Sequence, residues 1–327
     1  MMSIKKIFSL VFVFMFMFSV LTVSVNADDS KNIISDKVIE INEWDAYNRI
    51  VSMSDDELLN EGFTEQEILK IRNFNYEEEI RKRAALDDET LRLYGYSKNE
   101  IIELRQAAKL KIIPENTIKS ISTATMSTIL RYMESYSKVE NGANMYYCRF
   151  SFSWCWSRIP FFCIVDMVAV AFGSSTSDKF TYFSDSDNKV YTALTPVASS
   201  STTYYQTESW QYSTSKPSSI SAKFAVGLYD YDNNLTHFAF DGYGTFLLTN
   251  RSNNARLYLD ACYGHTTINI VPTYSVSISG VSVGINFIVG MDEQHCTGQF
   301  YENFTITTNY IYYGTVYGKN NTGGTAS

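Results

Sequence analysis

The chain has 327 residues, a formal net charge of −8 and 45% hydrophobic residues, so it is long and apolar enough for one large domain or two ordinary ones. It has no cluster of five or six Lys and Arg residues. The composition therefore argues against nucleic acid as a partner and against charge-driven binding to an anionic membrane.

The first 27 residues are typical of a secretory signal peptide. Lys5 and Lys6 precede an apolar stretch that continues to Val23, and Ala27 lies at the expected cleavage position. This stretch is short for a membrane-spanning helix of ~20 residues, so we expect cleavage rather than an uncleaved anchor. The predicted localisation is secreted and extracellular.

A repeated helical pattern follows. Residues 53–73 align with residues 86–106 at an offset of 33. In each copy a capped helix ends at a glycine, Gly62 or Gly95, and a Ser/Thr-x-x-Glu capping box opens the next helix. The matched residues are caps, turns and core positions, so the repeat predicts structure and indicates no activity.

Charge distribution marks a boundary between two parts of the chain. Residues 28–140 hold 23 of the 35 acidic residues, and the rest of the chain is rich in Tyr, Phe, Ser, Thr and Val. The predicted fold class is α+β multidomain, with a small N-terminal helical bundle carrying the 33-residue internal repeat, then a large antiparallel β-sandwich. The predicted divisions are a signal peptide (1–27), a helical repeat module (36–112), a linker (113–142), the sandwich domain (143–318) and a disordered tail (319–327). Within the linker, Met126 to Tyr136 is predicted to form a short helix.

The densest aromatic and apolar stretch of the mature chain begins at Tyr146 and ends at Phe172. Residues 146–157 alternate apolar with small or polar side chains, a period of two that predicts a half-buried strand. Residues 161–172 are apolar on both faces apart from Asp166, which predicts a central strand. Turn residues then recur every 8 to 12 residues, as in an antiparallel sandwich.

Five cysteines follow the predicted leader, an odd number for an exported protein. They are Cys148, Cys155, Cys163, Cys262 and Cys296. Their spacings fit neither a CxxC motif nor a zinc site. Cys262 and Cys296 could form a disulfide, and the other three could be buried core residues. The pairing stays open, and a catalytic thiol is not expected.

One predicted hairpin carries weak candidates for metal ligands, Asp230, Asp232 and His237. A two-residue turn at Asn233-Asn234 would place Asp232 opposite Leu235. Leu235 also stands where a calcium loop requires Gly, and no Glu closes the loop, so a polar hairpin tip is favoured over a metal site. The HExxH and P-loop motifs are absent from the sequence, and no cofactor is expected.

The candidate binding residues lie in or near the aromatic stretch. They are Trp154, Trp156, Trp210 and Asp166. Asp166 falls in an apolar strand, so its burial would raise its pKa or require a partner. Two interpretations remain open: a carboxylate hydrogen-bonded to nearby backbone, or a carboxylate exposed in a glycan cleft beside the tryptophans.

The leading hypothesis is a secreted, non-enzymatic binding or interaction module. It rests on 24 tyrosines beside very few residues of catalytic type, because aromatic rings with a polar group suit wet contact surfaces. The expected partner is a cell-wall or host glycan, or a protein. The alternative of a secreted glycan-acting hydrolase requires two carboxylates ~5–10 Å apart across a cleft.

A second alternative is a β pore-forming toxin-like protein. Between Ala261 and Met291 there is no Asp, Glu, Lys or Arg, and Ser alternates with Val and Ile. Such alternation is typical of the membrane hairpins of these toxins. The arm from Pro272 to Ser279 offers about seven residues, whereas a spanning strand needs ~9–11. Membrane insertion is therefore not expected.

Overall fold

The computed structural model describes most of the chain after the predicted leader. The described residues are 33–163, 165–174, 179–198, 202–213, 216–251, 254–266, 274–279, 282–287, 291–303 and 317–320. The predicted signal peptide (1–27) and residues 321–327 of the predicted tail lie outside the described residues.

The described part of the chain is mostly β, and its helices all lie between the first two strands. The strands are β1 (Ile33–Asn42), β2 (Thr123–Glu140), β3 (Ala143–Trp156), β4 (Val165–Ser174), β5 (Thr181–Phe183), β6 (Lys189–Pro196), β7 (Tyr204–Ser209), β8 (Gln211–Ser213), β9 (Lys216–Ala225), β10 (Gly227–Tyr229), β11 (Leu235–Phe238), β12 (Asp241–Asn250), β13 (Asn254–Thr266), β14 (Tyr274–Ser279), β15 (Ser282–Phe287), β16 (Met291–Asn303) and β17 (Tyr317–Asn320). The helices are α1 (Glu43–Ser52), α2 (Asp55–Asn60), α3 (Glu65–Asn73), α4 (Tyr76–Ala84), α5 (Asp88–Leu93), α6 (Lys98–Ala108) and α7 (Glu115–Ser122). None of these seven is long and apolar enough to cross a bilayer.

Two large antiparallel sheets and one small sheet are formed by these strands. A nine-stranded sheet in the order β1-β2-β3-β12-β6-β11-β10, with β5 beside β12 and β7 beside β6, curls into a half-barrel. A six-stranded sheet has the order β17-β16-β13-β4-β9-β8, and β14 pairs with β15. Trp154 of β3 stacks on Phe224 of β9 with ring centroids 5.0 Å apart, so an aromatic layer joins the two large sheets.

The helical segment is an excursion between two neighbouring strands of the large sheet. β1 ends at Asn42, β2 begins at Thr123, and these two residues pair in the antiparallel register. The helices between them pack on the connection from β3 to β4, where the rings of Tyr76 and Phe161 lie 5.4 Å apart. The buried side chains of the helices belong to one apolar core that continues into both large sheets.

The predicted fold class is therefore wrong in its main division, because the described helices do not form a separate bundle ahead of a sandwich. They are six to eleven residues long, and such short helices depend on tertiary packing for their stability. β1 adds a second reason, since it places residues of the predicted helical module in the sheet. The β-rich character predicted for the rest of the chain is confirmed.

Helix boundaries within the excursion follow local capping chemistry. Thr64 and Ser97 each open a helix with a complete capping box. Gly62 and Gly95, which precede them, have φ values of 97° and 89°, a conformation that glycine adopts with little strain. These starts and stops are where the local pattern predicts them, although the helices pack on the sheets.

Residues 123–140, which fall within the predicted linker, form the long strand β2. The stretch predicted as a short helix, Met126 to Tyr136, lies inside this strand. Its signal is a period of two, because Met126 and Leu130 are fully buried and the residues between them alternate in exposure. The two strands predicted from the aromatic stretch are confirmed as β3 and β4.

Cys262 and Cys296, the two cysteines considered for a disulfide, lie on neighbouring strands but are not directly opposite each other. Cys262 of β13 pairs with His295 of β16, and Cys296 pairs with Ala261. The two cysteines are therefore offset by one position between the strands, and their pairing stays a prediction.

Candidate functional site: a tyrosine face on the large sheet

Three tyrosines lie together on the outer face of the nine-stranded sheet, and we call Tyr191, Tyr205 and Tyr243 the tyrosine face. Tyr191 of β6 and Tyr243 of β12 are paired in register. Their rings are stacked, with centroids 5.1 Å apart and an angle of 23° between the planes. Tyr205 of β7 pairs with Ala193 of β6, two residues from Tyr191 on the same face, and it is 82% exposed.

Tyr243 faces outward through the alternation of β12, and the glycines on either side of it face inward. A Cβ atom on Gly242 would lie 2.3 Å from Cζ2 of Trp154, and one on Gly244 would lie 2.5 Å from Cζ2 of Trp210. The two indoles occupy the space that side chains would otherwise fill on the inner side of the strand. Tyr243, 47% exposed, is thus carried by a strand that is packed tightly from below.

Asp241 lies on the same face as Tyr243, two residues away along β12. Desolvation by neighbouring groups raises the pKa of its carboxyl group. Cys155 pairs with Asp241 from β3, and burial together with the charge of Asp241 raises the pKa of the Cys155 thiol to about 11. Cys155 therefore stays protonated at neutral pH and is not an activated nucleophile.

The three tryptophans predicted to bind a ligand are buried in this structure and are not exposed beside a cleft. Trp154, Trp156 and Trp210 are 2%, 2% and 6% exposed. Trp210 Nε1 donates a hydrogen bond to the Thr245 carbonyl at 2.7 Å. Trp154 and Trp210 pack beneath β12 and so support the tyrosine face, whereas Trp156 packs against Tyr263 and His265 in the interior.

Asp166 is buried and has a titratable partner. It is 1% exposed and accepts hydrogen bonds from the Tyr263 hydroxyl at 2.5 Å and from His265 Nδ1 at 3.0 Å. The backbone N–H of Thr266 donates to the same carboxylate at 2.9 Å. Trp156 joins this group, since its Nε1 donates to the Tyr263 hydroxyl at 3.1 Å. The structure thus brings Asp166 and Trp156 together, in the interior rather than at a surface.

Two of the weak metal candidates, Asp230 and Asp232, lie in a polar hairpin tip, and the third, His237, lies on β11. One carboxylate oxygen of Asp230 accepts hydrogen bonds from the backbone N–H groups of Asp232 and Asn234. The ring of His237 is buried, and its Nε2 contacts the Thr202 carbonyl. Among the residues described, no group of three or more His, Cys, Asp and Glu side chains is placed to hold a metal ion.

The predicted register of this hairpin is wrong. Tyr229 pairs with Leu235 and Leu228 with His237, so Asp232 lies in the loop and does not face Leu235. Of the two central Asn residues, Asn233 has a positive φ of 61°. The loop is longer than the two-residue turn that the Asn-Asn sequence indicated, because Asp230 caps it through its side chain.

A cleft of about 370 Å³ lies where the helices meet β1 and β2, and it contains several carboxylates. Glu100 binds Arg158 at 2.9 Å, and Glu103 accepts from the Ser120 hydroxyl at 2.9 Å. Both carboxylates hold neighbouring segments together, which is a structural use of their charge.

The uncharged segment after β13 contains the small sheet β14–β15. Val276 pairs with Ile285, and Ile285 is buried, with its N–H donating to Asp260 at 2.9 Å. Ser275 and Ser277 are exposed on the other face. The hairpin thus rests its apolar face on the core and shows a polar, uncharged face to solvent.

No protein-family model and no curated protein matches this chain. Solved structures give remote similarities. One is AvmM, which catalyses macrocyclization in alchivemycin A biosynthesis, with 12% identity over 53% of this chain and 98% of that chain and a TM-score of 0.23. Another is the Clostridium perfringens NetB toxin in its membrane-inserted form, with 9% identity over 56% of this chain and 92% of that chain and a TM-score of 0.21. A third is described as a pore forming protein, with 6% identity over 55% of this chain and 80% of that chain and a TM-score of 0.18. TM-scores this low establish neither a shared fold nor a shared function.

Proposed function

We propose that this protein acts outside the cell as a non-enzymatic interaction module that binds a neutral polysaccharide through the tyrosine face. The stacked pair of Tyr191 and Tyr243 is the observation that carries the proposal. The flat side of a sugar ring presents C–H groups, and these pack well on the electron-rich faces of aromatic rings. Tyrosine also offers a hydroxyl group, which suits a wet interface.

The surroundings of the pair favour a neutral ligand. Ser153 on β3 lies opposite Tyr243, and Thr207 on β7 lies opposite Tyr191, so hydroxyl groups flank the rings along this row of the sheet. Hydroxyls both donate and accept hydrogen bonds and so match the alternating groups of a sugar. An anionic polymer would meet Asp241 beside Tyr243 and is disfavoured.

The hydrolase alternative loses its main candidate residue. Catalysis of glycoside hydrolysis requires carboxyl groups that touch the substrate. Asp166 is 1% exposed, and its oxygens are used by Tyr263, His265 and Thr266. In that position it cannot reach a polysaccharide.

Co-sedimentation with isolated cell walls and with an insoluble neutral glucan tests the proposal. Residues 28–327 are compared with the double variant Tyr191→Ala/Tyr243→Ala. We expect the double variant to lose about 2 kcal/mol of binding free energy, roughly 30-fold in Kd. Tyr231→Ala is the matched control, because Tyr231 is a fully exposed tyrosine at the hairpin tip. Equal binding by both variants would refute the assignment of the site.

The β14–β15 hairpin favours a second candidate, membrane insertion. Val276 and Ile285 share one face and no charge interrupts the hairpin, so that face would suit lipid once it is released from the core. Its arms have six residues each, fewer than the ~9–11 of a spanning strand. Dye release from lipid vesicles tests this candidate. Release that is abolished by Val276→Asp but kept by Ser277→Asp would support it, and the absence of release by the unmodified chain would remove it.

A further inference from the structure

Glu43, His265 and Asp166 form a buried chain that ties helix α1 to the six-stranded sheet. His265 Nε2 lies 3.1 Å from Glu43 Oε1, and His265 Nδ1 lies 3.0 Å from Asp166 Oδ2. All three residues are at most 1% exposed. Glu43 is the first residue of α1, and the two other residues lie on β13 and β4. One imidazole ring therefore contacts carboxylates from two different layers of the fold.

Counting hydrogen-bond donors determines the protonation of this ring. An ionised carboxylate is an acceptor only, so each ring nitrogen must carry a hydrogen to bond the oxygen that faces it. A neutral imidazole has one N–H group, and an imidazolium has two. The Glu43 carboxylate already accepts two other hydrogen bonds, from the backbone N–H groups of Phe161 and Phe162. The geometry thus calls for a charged His265.

Several neighbouring groups pack on or near the three residues of this chain. The Trp156 ring packs edge-on to His265 with centroids 5.1 Å apart. Tyr263 of β13 donates to Asp166 and not to the histidine. On the helical side, the guanidinium of Arg83 in α4 donates to the carbonyls of Ile159 and Pro160. Cys163 is a buried thiol, and burial raises its pKa.

We infer that His265 is a proton-dependent lock that holds the helical excursion on the sheets while its ring is charged. Losing one ring proton leaves one carboxylate without its donor and leaves two negative charges buried on either side of a neutral ring. Both effects weaken the contact between α1 and the strands. The lock is independent of the tyrosine face.

The direction of the pH dependence follows from linkage. Burial alone would lower the pKa of His265, but the charge of Asp166 and the hydrogen bonds to Asp166 and Glu43 raise it well above the ordinary value. The stabilising contribution is complete below the unfolded-state pKa of about 6.5 and is lost as pH rises through the folded-state pKa. Within that window the unfolding equilibrium constant rises about tenfold per pH unit.

Three measurements on residues 28–327 test the lock. The first is the ¹⁵N–¹H spectrum of the histidine rings at pH 8, where His265 is expected to show two ring N–H protons. The second is urea unfolding between pH 6 and pH 9, compared with Glu43→Gln and with His237→Gln as the matched buried-histidine control. The third is hydrogen exchange of residues 43–52, corrected for the intrinsic pH dependence of exchange.

In the unmodified protein we expect the unfolding equilibrium constant to rise about tenfold per pH unit. The His237→Gln variant should show the same rise. In the Glu43→Gln variant the rise should end at a lower pH. Exchange of residues 43–52 should increase in parallel. If Glu43→Gln does not fold, the number of ring N–H protons on His265 in the unmodified protein tests the inference by itself. A neutral His265 at pH 7, or identical pH profiles for the unmodified protein and Glu43→Gln, would overturn the inference.

Discussion

Asn42 and Thr123 close the base of the helical excursion. They pair across β1 and β2, and Asn42 Nδ2 donates to Thr123 Oγ1 at 2.6 Å although 81 positions separate the two residues. Asn42 is also the N-cap of α1. The seven helices therefore begin and end at adjacent positions in one sheet, and the polypeptide returns to the strand pair that it left.

This closure predicts that the C-terminal part cannot fold alone. A fragment of residues 141–327 lacks β1 and β2, so it loses the buried residues Met126 and Leu130 and leaves one edge of β3 unpaired. An exposed apolar edge strand promotes aggregation. We expect this fragment to be aggregated or unfolded by circular dichroism and size-exclusion chromatography, next to residues 28–327 as the reference. A soluble fragment with a cooperative thermal transition would contradict the shared core.

The two glycines of the helical pattern should differ in their tolerance of alanine. Both have positive φ, which costs an alanine about 1–2 kcal/mol. A Cβ on Gly62 meets nothing within 4 Å, whereas one on Gly95 would lie 2.5 Å from the Ser157 carbonyl and 2.9 Å from Arg158 Cα. We expect Gly95→Ala to cost an additional ~1–3 kcal/mol by urea unfolding, because backbone must move. Equal costs for the two variants would mean that Gly95 does not pack against the connection between β3 and β4.

The hydroxyl of Tyr263 should contribute strongly to stability. It donates to Asp166 at 2.5 Å and accepts from Trp156 Nε1 at 3.1 Å. In Tyr263→Phe a buried indole N–H loses its acceptor and a buried carboxylate loses a donor, which costs about 1–3 kcal/mol. Tyr243→Phe is the matched control at an exposed ring, with an expected change within ~0.5 kcal/mol. Similar unfolding midpoints for the two variants would contradict the network.

Adding a methyl group at Gly242 of β12 should disturb the packing of Trp154 beneath the tyrosine face. Gly242→Ala places its Cβ 2.3 Å from the Trp154 ring, and overpacking of this kind costs about 1–3 kcal/mol. We expect lower stability together with a shift in tryptophan fluorescence. Ser153→Ala, at an outward position on the neighbouring strand, should leave both unchanged. An unshifted spectrum in Gly242→Ala would show that Trp154 is not packed beneath the strand.

Local features of the fold were predictable from the sequence because their signals are short-range. Capping boxes at Thr64 and Ser97 and the glycines before them depend on residues three or four positions apart. The period-two pattern of β3 likewise predicted a strand. β2 has the same pattern, but its position beside a highly charged segment favours a linker from composition alone.

Contacts between residues far apart in the chain were not predictable from local sequence patterns. Glu43 and His265 are 222 positions apart, and nothing near either residue indicates the other. The pairing of Tyr191 with Tyr243 required the neighbours of β12 in the sheet, which depend on tertiary topology. Alternation in β6 does place Tyr191 on the face opposite the buried Val190, so one of the three residues of the tyrosine face is predictable from the sequence.

Hydroxyl-radical footprinting of tyrosine side chains, with and without saturating insoluble glucan, tests the proposed function most directly, because it requires no substitution. The prediction is reduced oxidation of Tyr191, Tyr205 and Tyr243 in the bound state, with Tyr231 unchanged. Failure to bind any neutral polysaccharide, or binding that protects Tyr231 and leaves the tyrosine face fully reactive, would contradict it.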